Sequence, residues 1–137
     1  MQQVFLSSTA KDLDAYRDKV AEAIHRLDGF NCIRMEEFGA RELQADAFCR
    51  NTIADCAVAV FIVGLCYGSQ PEGAEDSYTV REYAAAVSAG LACLVFLSAE
   101  GVYYPGYYRE SDQQWQRQQE FRTKLHQEHI QIGRAHV

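Results

Sequence analysis

Val58-Ala59-Val60-Phe61-Ile62-Val63-Gly64-Leu65 is an unbroken apolar run rich in β-branched residues. A strand with one wet face alternates polar and apolar side chains. A run without polar interruption suits a strand covered on both faces, as in a parallel sheet. Leu91 to Leu97 is a second such run, and Gln3 to Leu6 and Phe30 to Arg34 read as shorter strands.

Between these runs the spacing turns helical. Leu13, Tyr16, Val20, Ile24 and Leu27 form one stripe, which predicts a helix over about 11–27 stopped by Asp28-Gly29. A charged loop around Gly39 leads to a helix over about 43–55, with Ala45, Phe48, Cys49 and Thr52 on one face. A third helix is expected over about 80–89, with a Val80, Tyr83 and Val87 stripe and Gly90 as its terminating glycine. Ser111 or Asp112 caps a polar helix reaching about Gln127.

Strand and helix therefore alternate. That order predicts an α/β fold of three layers, a parallel sheet between helices joined by right-handed crossovers. The expected strand order is 2-1-3-4-5, the flavodoxin-like arrangement. Only His129-Ile130 hints at a fifth strand, which is expected to be truncated. Ile132 to Val137 resembles the translated read-through of a sequencing adapter. The domain is accordingly placed at residues 1–131, C-terminally incomplete, with 132–137 as a non-native tail.

The chain has 137 residues, enough for one domain, and its 48% apolar content is well above the disordered range. A net charge of −6 argues against an unspecific grip on nucleic acid or an anionic membrane. Met1-Gln2-Gln3 gives no cationic start to a secretory leader, and no run approaches the roughly 20 apolar residues that span a bilayer. The five cysteines include no C-x-x-C pair, which argues against zinc and for reduced core thiols in the cytoplasm. No cofactor or metal is expected.

Ligands of open parallel sheets bind outside the carboxyl ends of the strands, where strand order reverses. Here that point is flanked by Ser7-Ser8-Thr9 and by Gly64-Leu65-Cys66-Tyr67-Gly68. The first loop offers hydroxyls and amides for an anion, and Gly68 lets a ligand approach the backbone. Ser8 or Thr9 serves equally as a plain N-cap. Arg17 can hold a phosphate or carboxylate, although a salt bridge to Asp14 or Asp18 is the blander use. Glu36 and Glu37 end the second strand, where paired carboxylates suit a ribose diol or simply a solvated loop. Tyr103, Tyr104, Tyr107 and Tyr108 can stack on a base, on a partner, or on one another.

The second focus is Asp76-Ser77-Tyr78-Thr79-Val80-Arg81-Glu82-Tyr83. Glu82 can stabilise or attack a ribose carbon from the sheet edge. Thr79-x-x-Glu82 also reads as a capping box, in which Glu82 only closes its own helix.

Val4-Phe5-Leu6-Ser7-Ser8-Thr9 with Asp12-Leu13 and Tyr16-Arg17 resembles the opening of an uncharacterised TIR-like domain. That domain lies at the N-terminus of bacterial NACHT-type and other STAND NTPases, often ahead of tetratricopeptide or WD40 repeats. The resemblance continues through Met35-Glu36-Glu37-Phe38, Cys66-Tyr67-Gly68 and Ser77-Tyr78-Thr79 with Glu82-Tyr83. It implies a signalling or effector module of bacterial defence, working by self-association or partner binding beside a downstream nucleotide-binding domain. It also implies an alternative, an NAD or nucleotide glycosidase. There Glu82 is catalytic, Ser7, Ser8 and Thr9 hold phosphate, Tyr67 or Tyr78 lines the pocket, and NAD is substrate rather than cofactor.

Overall fold

The structure is a computed structural model that describes residues 2–8, 13–34, 45–68, 70, 73, 75–98, 110–128 and 133–135. In chain order these form β1 (Gln2–Ser8), α1 (Asp14–His25), β2 (Phe30–Ile33), α2 (Ala45–Ala54), β3 (Val58–Val63), α3 (Tyr78–Ser88), β4 (Ala92–Ser98), α4 (Asp112–Glu128) and β5 (Gly133–Ala135). The sheet runs β2-β1-β3-β4-β5, and each pairing is parallel. The three-layer architecture and the strand order are those expected. The fifth strand begins at Gly133 rather than at His129-Ile130. It is three residues long and pairs Phe96 with Gly133 and Ser98 with Ala135.

The central run explains the layers. Because a strand alternates its side chains, Ala59, Phe61 and Val63 face one way and Val60 and Ile62 the other. The first set packs with Phe5, Ile53, Tyr83, Ala86, Val95, Leu97, Phe121 and Leu125. The second packs with Val4, Leu6, Leu13, Ala21, Ile24 and Cys32. Right-handed crossovers dictate this split. The chain steps from β1 outward to β2 through α1, then reverses direction through α2, α3 and α4, which therefore share the opposite face.

That reversal leaves α1 alone on its side, and it covers β2, β1 and β3 but not β4. Leu94 and Phe96, on the α1 side of β4, are 52% and 37% exposed. Among the described residues, none covers that face of the apolar run Leu91 to Leu97. Leu27 and Val87, expected on buried stripes, are exposed instead. Leu27 lies beyond the last turn of α1, and Val87 lies on the flank of the α3 face that buries Tyr83 and Ala86.

Tyr83 is the hinge of the larger core cluster. Its ring meets Phe61 edge-on at 5.3 Å and Phe121 edge-on at 5.8 Å, both favoured quadrupole geometries. Its hydroxyl donates to the Glu128 carboxylate at 2.5 Å. Burial and the neighbouring Glu128 push its pKa well above the ordinary phenol value. Cys32, Cys56, Cys66 and Cys93 are free thiols. Burial, with Asp55 adding to it, pushes Cys56 up to about 11, so this thiol stays protonated at neutral pH. The side chains of Phe48 and Cys49 lie outside the described residues. No described helix is long and apolar enough to cross a membrane.

Candidate functional site

The carboxyl ends of β1 and β3 meet where the strand order reverses, with Ser7 opposite Phe61 and Ser8 opposite Ile62. Ser7 is buried and Ser8 half-buried, and both hydroxyl oxygens are shielded from solvent with no hydrogen-bond partner among the described residues. The Ser8 carbonyl accepts from the Thr79 hydroxyl at 3.1 Å, which seats the first turn of α3 on the end of β1. Thr9, Glu36 and Glu37 lie outside the described residues, as do Asp12 and the tyrosines of 101–109.

The capping box expected at Thr79 and Glu82 does not form. α3 begins at Tyr78, and Ser77, extended at φ −70° and ψ 163°, accepts from the Val80 amide at 3.2 Å. Starting two residues early frees the Thr79 hydroxyl for β1 and places Glu82 in the helix body. Glu82 is only 4% exposed, so it is not a solvent-facing cap. A capping box is present instead at α4, where Ser111 Oγ accepts from the Gln114 amide and Gln114 Oε1 accepts from the Ser111 amide, each at 3.2 Å. Tyr78 is half-buried at the first position of α3.

Beyond β3 the backbone makes an anion cradle. The Tyr67 amide donates to Glu110 Oε1 at 2.6 Å and the Gly68 amide to Glu110 Oε2 at 2.9 Å. Gly68 has φ +84°, a conformation that glycine adopts without strain. Tyr67 itself is buried, and its hydroxyl lies 3.5 Å from Asp76 Oδ1. Tyr67 and Asp76 open into a cleft of about 520 Å³ lined further by Gln113, Gln116, Arg117 and Lys124.

α4, expected to be polar and solvated, closes the rest of the edge. Arg122 is buried and donates to the carbonyls of Val63 at 3.2 Å, Gly64 at 3.1 Å and Ser98 at 2.6 Å. Gln118, also buried, donates to the Gly64 carbonyl at 2.7 Å. A strand end buried under a helix leaves carbonyls that need donors, and these two side chains supply them. Gln118, Phe121, Arg122 and Leu125 have the spacing of one helical face, which was the available signal. Their polarity concealed it. Glu110 had no such signal, because its partners lie 43 and 42 residues away.

Arg17 stands half-buried on α1. Of its two expected partners, Asp18 binds Arg34 at 2.8 Å, tying α1 to the end of β2, and the side chain of Asp14 lies outside the described residues. Of the predicted site residues, the structure brings Ser7, Ser8, Tyr67, Gly68 and the start of α3 to one end of the sheet. Among the described residues no group of histidine, cysteine and carboxylate side chains can hold a metal ion.

The chain has no significant match among curated proteins. Its fold is similar to that of a prokaryotic SEFIR domain, with a TM-score of 0.51 over 91% of this chain and 92% of that one, at 14% identity. It is likewise similar to a 2-desoxiribosyltransferase from Leishmania mexicana, with a TM-score of 0.53 at 14% identity. That match covers 72% of this chain and 66% of the transferase chain. At these identities the likeness is one of fold, flavodoxin-like and TIR-like as the sequence predicted. The family relation comes from the sequence itself: a model described as a domain of unknown function, DUF4062, matches residues 3–135, and the chain belongs to that family.

Proposed function

We propose that the domain is an N-terminal signalling or effector module of a bacterial STAND-type NTPase, cytoplasmic, and acting through self-association. The observation that carries this reading is the face of β4 left bare among the described residues. Leu94 and Phe96 stand side by side on one sheet face, about half and a third exposed, with no helix of the described chain over them. Neighbouring large apolar side chains in water favour burial against a partner. The filled carboxyl edge supports the same reading, since Arg122, Gln118 and Glu110 occupy donors and acceptors that a substrate would otherwise use. The fold similarity to a SEFIR domain agrees with it.

The test is the assembly state of the full-length protein, followed by light scattering after chromatography. Leu94→Glu with Phe96→Glu is expected to weaken self-association about tenfold or more, because each introduces a charge that the interface would have to desolvate. Far-UV dichroism at the wild-type value shows that the fold is kept; its loss means that the face is covered within the full-length protein and sinks this reading. Unchanged assembly in the double variant removes this face from the mechanism and leaves binding to a different protein as the reading.

One observation favours a second reading, the NAD or nucleotide glycosidase. A carboxylate at Glu82 and the unpartnered hydroxyls of Ser7 and Ser8 are all buried where α3 meets β1. Polar groups held dry at a sheet edge are the raw material of an active site. If the domain cleaves NAD, Glu82→Gln is expected to lower turnover by roughly a hundredfold, the usual scale for one acid–base group. NAD cleavage that survives Glu82→Gln at the wild-type rate excludes Glu82 as catalyst.

A further inference from the structure

The amide pair at Tyr67 and Gly68 is bound to a carboxylate from far along the chain. Each Glu110 oxygen takes one amide, at 2.6 Å and 2.9 Å. Successive backbone N–H groups around a left-handed residue form a concavity that binds oxyanions, and two such amides receive a phosphate as readily as a carboxylate. We propose that this amide pair is a binding site for the phosphate group of a small molecule, and that Glu110 is a built-in competitor for it.

The surroundings fit such a ligand. Tyr67 forms one wall of the cleft of about 520 Å³, which has room for more than a bare anion. Arg117 and Lys124 line that cleft from α4, together with the acidic Asp76 and Glu120, and Lys124 lies 4.0 Å from Glu128. Among the described residues, Arg117 is engaged with the Glu75 backbone carbonyl at 2.8 Å and, at 4.0 Å, with the exposed Glu75 carboxylate. Its charge is therefore not cancelled by a buried partner. At the adjoining strand end, the Ser7 hydroxyl is buried and lacks any partner among the described residues. Buried hydroxyls are normally satisfied, so one without a partner at the same end of the sheet as the cradle suits a ligand atom. The site depends neither on Glu82 nor on the open face of β4.

The test is backbone-amide NMR of the full chain, wild type and Glu110→Ala, titrated separately with inorganic phosphate and with AMP. The Tyr67 and Gly68 amides are expected to move in a saturable way. Apparent affinity should be about tenfold higher in Glu110→Ala, because the competing carboxylate no longer reduces the binding-competent fraction. AMP is expected to bind more tightly than phosphate through the cleft. Equal affinities would keep the site and name free phosphate as its ligand. Gly68→Ala, strained at positive φ, should weaken binding in the Glu110→Ala background. Should Glu110→Ala fail to fold, Glu110→Gln replaces it, since a neutral amide competes less well for two N–H donors. Tyr67 and Gly68 amides that stay unmoved in a folded Glu110 variant overturn the proposal. So does equal affinity in wild type and variant.

Discussion

Arg122→Met is expected to destabilise the domain by about 3 kcal/mol, as read from the midpoint of urea unfolding. Replacing a buried ion by an apolar side chain is often harmless when its partners can be replaced as well. Here they cannot. The guanidinium serves the backbone carbonyls of Val63, Gly64 and Ser98 and also lies 3.3 Å from Ser98 Oγ. Methionine fills the volume and takes the guanidinium donors from the Val63 and Ser98 carbonyls, while Gly64 keeps Gln118. Arg122→Lys separates charge from geometry. It keeps the cation but has one compact donor head, which cannot reach the ends of β3 and β4 together. It should therefore recover only part of the loss. A cost under about 1 kcal/mol for Arg122→Met would mean that water reaches the two strand ends and satisfies them.

Phe61→Ala should cost more, about 4 kcal/mol, the usual scale for truncating a fully buried aromatic ring. Phe61 is wholly inaccessible at the centre of β3, and its ring supports Tyr83, which in turn supports Phe121. The cavity therefore opens between the sheet and both α3 and α4. Loss of near-UV dichroism from Tyr83 should accompany the drop in unfolding midpoint. Leu94→Ala on the same sheet is the contrast. Its side chain is already half solvated, so the loss should stay near 1 kcal/mol or below. If the two substitutions cost the same, the burial pattern assigned to β3 and β4 is wrong.

Both experiments bear on what could be read from the residues. The apolar runs and helical stripes were legible because burial on two faces removes polar residues from a strand, and burial on one face leaves a period in a helix. From these the layers follow without coordinates; the order β2-β1-β3-β4-β5 was expected as a common one for such sheets, not dictated by the runs. The position of the edge was legible too, since Ser7, Ser8, Tyr67 and Gly68 stand at the carboxyl ends of β1 and β3. The start of α3 was not. Thr79-x-x-Glu82 and Ser77-x-x-Val80 both offer an N-cap, and local chemistry does not choose between them. The choice was made by the Ser8 carbonyl, 71 residues from Thr79, which needed a donor.

Sequence alone determined that this is a layered α/β domain with a parallel sheet, because its signal is the repeated pattern of what each element must hide from water. Tertiary structure alone decided which polar side chains go inside. Gln118, Arg122 and Glu110 read as surface residues, and became buried or bound because strand ends and loop amides from distant parts of the chain came to lie beside them. A buried backbone group must find a partner wherever the fold brings one. That requirement has no period and no fixed spacing.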